Sequence, residues 1–284
     1  MIRILSLGAG VQSSTLALMY AKEHAFAMSN GSHRGIGRPP DAAIFADTGG
    51  EPAAVYKWLD WLEKQLPFPI YRVARGNLWE AATRVRTTRD GERSYVAIGI
   101  PVHTVEGLRK GIGMRQCTKT FKIDPIERKA RELTGMKRIT KKDGVQVQML
   151  IGISLDEYER MKPSRRPWIE ASWPLIDAGM SRADCLTWME RNGYPLPPRS
   201  ACTYCPFHSD DEWLNLTDSE FADAVQKEKQ LQDAYEAASA IRSKPYFHRS
   251  RVPLDQVKFK PTGGKDLAKQ LNMFRNECAG MCGV

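Results

Sequence analysis

Five of the six cysteines in this chain fall in short polar motifs. Cys202 and Cys205 stand in "SACTYCPF", Cys278 and Cys282 in "NECAGMCGV", and Cys117 in "MRQCTKTFK", among Arg115, Lys119 and Lys122. A Cys-x-x-Cys step presents two thiolates from one tight turn. Such a pair can hold Zn²⁺, share an iron–sulfur cluster or close a redox disulfide. Cys202 and Cys205 with Cys278 and Cys282 would make a set of four, and Cys117 is a fifth candidate. Zinc enclosed by four thiolates would be structural, whereas a cluster with three protein thiolates would leave one iron open to carry sulfide. The cations beside Cys117 favour its thiolate, the nucleophilic form, and would equally attract a phosphate or sulfate. Cys185, in "SRADCLTWM", shares an apolar helix face with Leu186 and Met189 and is expected in the core.

A second chemical feature opens the chain. In "MIRILSLGAGVQSSTLALMY" an apolar run breaks into Gly8-Ala9-Gly10, meets Ser13, Ser14 and Thr15, and resumes as a helical pattern. No Gly-Lys-Ser/Thr follows, so this is not a P-loop. Ser13 replaces the third glycine of a dinucleotide fingerprint. What remains is a glycine turn at a helix start, where backbone N–H groups, the dipole and three hydroxyls suit a phosphate or pyrophosphate.

Two further stretches carry polar chemistry. "IGISLDEYER" places Gly152, Asp156, Glu157 and Arg160 at a strand end, suited to ribose, magnesium or an anionic substrate, or to a plain Glu–Arg pair on a solvated helix start. "KPYFHRSRVPLD" interleaves Tyr246, Phe247 and His248 with Arg249 and Arg251, suited to base stacking and phosphate contact or to ordinary surface packing.

Positioning these groups falls to an alternating pattern. Strands are expected at 2–7, in 41–52 (ending at Asp47-Thr48-Gly49), at 68–75 and at 145–154; helices at 13–24, 53–66, 123–135 and 181–193. Residues 26–40 read as a polar loop, 83–114 as a basic mobile loop over the site, and 210–242 as one or two polar helices covering the sheet. Strand–helix alternation with short connections predicts an α/β fold, a doubly wound parallel sheet, with a Cys-rich helical C-terminal part. The expected division is 1–207 for the nucleotide-binding domain and 208–284 for a helical extension completing the Cys-rich metal site.

The chain has 284 residues and a formal charge of +9, with 42 Lys and Arg against 33 Asp and Glu. That excess favours polyanionic partners without separating a nucleotide from a nucleic acid. No apolar stretch approaches the roughly 20 residues that span a bilayer, so no membrane role and a cytoplasmic location are expected.

Taken in order, these motifs resemble the adenine-nucleotide alpha-hydrolase (PP-loop) superfamily. "GAGVQSS" is similar to its Ser-Gly-Gly-Val-Asp-Ser-Ser loop: Gly10, Val11, Ser13 and Ser14 match, while Gly8, Ala9 and Gln12 depart from it. "FADTGGEPAAVYKWLDWL", "RQCTKTFKIDPIERKAREL", "LIGISLDEYERM" and the ending "GYPLPPRSACTYCPF" resemble the phosphoadenosine-phosphosulfate (PAPS) reductase and DNA-phosphorothioation sulfurtransferase branch. The resemblance covers residues 2–207 and implies a Rossmann-like fold. It implies ATP, or PAPS or adenylyl sulfate, held by Ser6, Gly8, Ala9, Gly10, Val11, Gln12, Ser13 and Ser14. Asp47, Thr48, Gly49, Lys122, Gly152, Asp156, Glu157 and Arg160 would surround it.

Catalysis would fall to Cys117 with Arg115 and Lys119. A [4Fe–4S] cluster, with Zn²⁺ as alternative, would draw on Cys117, Cys202, Cys205, Cys278 and Cys282. Magnesium is a further implied ion, although Gln12 stands where the family has the Asp that helps hold it. The reaction implied first is adenylation and thiolation of a tRNA or DNA acceptor, with a cysteine desulfurase as sulfur donor. The alternatives are reduction of PAPS or adenylyl sulfate to sulfite, and a non-enzymatic nucleotide- or nucleic-acid-binding protein with structural zinc.

Overall fold

The computed structural model describes residues 1–30 and 36–260. Cys278 and Cys282 lie outside the described residues, as does the C-terminal end of the expected Cys-rich extension.

The first three strands form as expected: β1 (Ile2–Ser6), β2 (Ala42–Asp47) and β3 (Ile70–Ala74), separated by α1 (Val11–Asn30) and α2 (Ala53–Glu63). In α2 the apolar side chains of Val55, Trp58, Leu59 and Leu62 recur at helical spacing and are buried. Helix α1 runs on to Asn30, into the stretch expected as a polar loop.

Next come α3 (Leu78–Thr83), β4 (Val85–Thr87), β5 (Ser94–Val96), β6 (His103–Glu106) and β7 (Arg109–Ile112). The expectation of a loop over 83–114 is corrected here. β4 and β5 form an antiparallel hairpin around Asp90-Gly91, and β6 pairs with β7. These strands are three or four residues long and mostly exposed, so no buried alternation marks them in the sequence.

A π-helical turn, Thr118–Ile123, leads into α4 (Asp124–Leu133), followed by β8 (Val147–Ile151) and β9 (Ile169–Ser172). After α5 (Pro174–Asp177) comes α6 (Arg182–Arg191). Ser181 starts α6 by accepting from the Asp184 N–H at 3.2 Å, while the Asp184 carboxylate accepts from the Ser181 N–H at 2.8 Å. Helices α7 (Asp210–Leu214) and α8 (Asp218–Ala237), strand β10 (Lys244–Tyr246) and a 3-10 turn at Leu254–Gln256 follow.

The central sheet is five-stranded and parallel, in the order β3-β2-β1-β8-β9. Strand β1 feeds both faces. Leu5 packs with α1, α2 and α6, and Ile4 with α4 and the opposite side of β2 and β8. Strands buried on both sides are continuous apolar runs, which is why 2–7 was legible. A second core joins Leu78, Val102, Phe121 and Tyr204 to Trp213, Leu231 and Phe247. Helix α8 packs in that core against α3, β5 and β10 rather than over the sheet. Strand β10 pairs with β6, so residues on both sides of position 207 share one small sheet.

Candidate functional site

In a parallel sheet of this order the chain moves from one side of β1 to the other, and ligands bind beyond the strand ends at that switch. The turns after β1 and β8 meet there. Gly152, just past β8, allows the contact: a Cβ on it would lie 2.9 Å from the Ser13 N and Cα atoms.

The glycine turn itself is buried. Ala9 sits at φ 57°, the left-handed region that costs a non-glycine residue roughly 1 kcal/mol. Ser13 Oγ accepts from the Gly8 N–H at 3.1 Å and lies 3.4 Å from the Gly10 carbonyl, so this hydroxyl closes the turn on itself. Ser14 Oγ accepts from Trp58 Nε1 at 3.0 Å. Ser6 Oγ, at the end of β1, is buried with no hydrogen-bond partner among the described residues. A buried unmatched hydroxyl costs about 1–3 kcal/mol, which a polar ligand would offset.

Gln12 faces β8. Its Nε2 donates to Glu157 Oε2 at 3.1 Å and lies 3.4 Å from Ser154 Oγ, and its Oε1 accepts from Arg182 Nη1 at 2.8 Å. Arg160 pairs with Glu157, and Asp156 accepts from the Arg182 N–H at 2.8 Å. A neutral amide thus bridges an acidic and a basic side chain. An Asp at position 12 would instead face Glu157. Ser154 and Arg182, which sequence reasoning missed, belong to this network. Their only sequence signals are adjacency to a strand end and to a helix cap.

One strand over, β2 ends in Asp47, Thr48 and Gly49. Asp47 Oδ1 accepts from the Gly49 N–H at 2.7 Å and from the Tyr56 hydroxyl at 2.9 Å. Burial, then that hydrogen bond to Asp47, raises the Tyr56 phenol well above its usual range. Thr48 Oγ1 shares a hydrogen bond with Cys202 Sγ at 3.3 Å. The Thr203 N–H donates to the Gly50 carbonyl at 2.8 Å, fixing the Cys-x-x-Cys turn against the end of β2. Within that turn the Cys205 N–H donates to the Cys202 carbonyl at 2.9 Å.

Tyr204 is the hub that the sequence did not disclose. It is buried against Trp79 and Phe247, and its hydroxyl lies 2.7 Å from where a Cβ on Gly50 would stand. Cys117 and Cys202 both pack on this aromatic core. Burial, and next the Glu51 carboxylate, push the Cys202 thiol well above the ordinary range, so it stays protonated at neutral pH. Burial and the neighbouring Cys202 likewise keep the Tyr204 phenol neutral. Beneath them Lys122 Nζ pairs with Glu51 Oε1 at 3.2 Å, and Ser200 Oγ donates to Glu51 Oε2 at 3.0 Å, all three side chains being buried.

The three cations bracketing Cys117 therefore part company. Lys119 and Lys122 sit in the π-helical turn, a form that often marks functional positions, and Arg115 precedes it. Arg115 lies over the Phe207 ring at 5.3 Å, Lys119 is exposed, and Lys122 is inside, its charge matched by Glu51. Cys185 is buried, as expected, and burial pushes its thiol up to about 12.

In the 244–251 stretch the structure shows packing contacts. Phe247 is fully buried, His248 and Arg249 both contact Asp210, and Arg251 donates to the carbonyls of Thr104 and Gly111.

In donor chemistry, Cys117, Cys202 and Cys205 suit a thiophilic metal centre. Among the described residues, however, no group of three or more His, Cys, Asp or Glu side chains is placed to hold a metal ion. These residues alone do not assemble a cluster site. No helix among the described residues is long and apolar enough to cross a membrane. No family model matches the chain, and no curated protein matches it.

Proposed function

We propose that this chain is a nucleotide-activating sulfurtransferase acting on a nucleic-acid acceptor. The observation that carries this reading is the hydrogen bond between Thr48 and Cys202 at the end of β2. It sets the Cys-x-x-Cys turn against the end of β2, the strand next to β1 and about 5 Å from it across the sheet. The glycine turn, the α1 N-terminus and Ser6 would hold the phosphates of ATP. The acceptor oxygen would attack the α-phosphorus, and pyrophosphate would leave with the breaking P–O bond. A persulfide sulfur carried on Cys117 would then attack the activated carbon, AMP leaving with the breaking C–O bond, and a second thiol would break the remaining S–S bond, releasing the thiolated acceptor and leaving a disulfide on Cys117. Cys202 would enter a metal centre, where coordination takes the place of its proton. Cys205 and the C-terminal thiols Cys278 and Cys282 would complete a zinc or iron–sulfur centre with it.

Sulfonucleotide reduction uses the same two elements differently: a cysteine thiolate attacks the sulfur of PAPS or adenylyl sulfate, leading to sulfite. Anaerobically purified full-length protein, incubated separately with ATP plus total tRNA or DNA and with PAPS plus a dithiol, separates the readings. AMP and pyrophosphate formed only with acceptor support the transferase. Sulfite from PAPS would replace it with the reductase. ATP binding without turnover, in a colourless zinc-containing protein, would leave a binding module.

A further inference from the structure

Beside α4 lies a cleft of about 520 Å³ whose charge is almost all of one sign. Its two carboxylates are already matched: Asp124 by Arg75 at 2.9 Å and Glu127 by Arg166 at 2.6 Å. Five further cations line it, Lys119, Arg128, Arg131, Lys137 and Arg138. All five are exposed, and none forms an ion pair among the described residues. Like charges gathered without counter-charges repel one another, so the cleft is stabilised by a polyanion.

Its direction and length narrow the partner. Helix α4 has 10 residues and so spans about 15 Å. One nucleic-acid strand carries a charge every ~3.4 Å of helix axis, so about four phosphates fit that length. A concavity of this size admits a strand rather than a duplex. Lys119, which lines the cleft before α4 begins, is two residues from Cys117 in sequence. A second cleft of about 450 Å³ shares Lys119 and Arg166 and reaches Ile151 at the end of β8, beside the candidate nucleotide turn.

We propose that the α4 cleft is the track along which a single strand of nucleic acid is led to Cys117, gripped through its phosphates. This rests on the sulfurtransferase reading, for which it names the acceptor's docking surface, but it is tested separately.

The test is fluorescence anisotropy of the full chain with short labelled RNA and DNA single strands, a duplex, and phosphatidylserine vesicles, over a salt series. With about four phosphates engaged, single-strand affinity should fall roughly 50-fold between about 50 and 200 mM salt. The quadruple variant Arg128→Ala/Arg131→Ala/Lys137→Ala/Arg138→Ala should bind at least about tenfold more weakly at low salt, with a nearly flat salt dependence. The charge-keeping variant Arg128→Lys/Arg131→Lys should keep both affinity and slope. Either single strand bound in this way supports the proposal, and a preference between RNA and DNA identifies the acceptor type. An unchanged slope in a quadruple variant with wild-type thermal unfolding would overturn it, as would preference for duplex or vesicles. Loss of ATP turnover with strand binding intact would defeat the activity reading and leave this surface standing.

Discussion

At the end of β1 the chain holds its turn with hydrogen bonds of uncharged side chains and close backbone packing. One strand over, at the end of β2, it buries a charged pair beneath a cysteine turn. The first region uses Ser13, Ser14, Gln12 and the missing side chain of Gly152. The second uses Lys122 and Glu51, with Tyr204 packed above them. The difference teaches where each region is vulnerable. Such hydrogen bonds net about 1 kcal/mol each, or about 2 where the partner is charged, and can be exchanged for ligand contacts. A buried ion pair is near neutral as a whole but expensive when halved.

The sharpest way to break this contrast is Lys122→Met. It leaves Glu51 buried beside Ser200 without its cation and should cost about 3–5 kcal/mol in urea unfolding. Adding Glu51→Gln should recover a large part of that loss. Equal losses in single and double variants would mean that the pair is not coupled.

A pH series probes the same region next. His208 follows the cysteine turn and packs edge-on against Trp213 at 4.6 Å. Burial, and then Arg199, lower its pKa to about 3. The unfolded chain therefore binds a proton near pH 6.5 that the folded chain refuses. This contribution to stability is complete above about pH 6.5 and is lost as pH falls toward 3, by about 3 kcal/mol at pH 4.5. His208→Phe should remove that slope relative to wild type, while Gly152→Ala, on the loop side, should leave it intact.

Gly152→Ala tests the loop side directly. Its new Cβ would press on the Ser13 backbone and cost about 1–3 kcal/mol. It should also weaken ATP binding measured by calorimetry, whereas Lys122→Met/Glu51→Gln should leave ATP affinity within about twofold. Smallest of all, Ala9→Gly relieves the left-handed strain but adds chain entropy, so stability should shift by less than about 1 kcal/mol with ATP affinity retained.

Much of the sheet was legible because its strands are buried on both faces and its helices carry apolar residues at regular spacing. Val55, Trp58, Leu59 and Leu62 predict α2, and Ser181 predicts the start of α6. Strand β9 was not legible: "IEAS" offers one buried residue and no alternation. The candidate site was legible in its parts, as a glycine turn, an Asp-Thr-Gly end and a Cys-x-x-Cys step. Tyr204, Glu51 and Arg182 carried no such mark, because their roles come from neighbours distant in sequence.

The sequence by itself determined the strand–helix alternation, the glycine turn at the first helix and the buried place of Cys185, all set by local spacing and side-chain type. Only the tertiary structure decided where charge would act. It paired Lys122 internally, fastened the 244–251 arginines to Asp210 and to backbone carbonyls, and gathered scattered cations along α4. The reason is physical. Whether a charge is matched or open depends on which groups stand within a few ångströms, and that distance belongs to the fold and not to the order of residues along the chain.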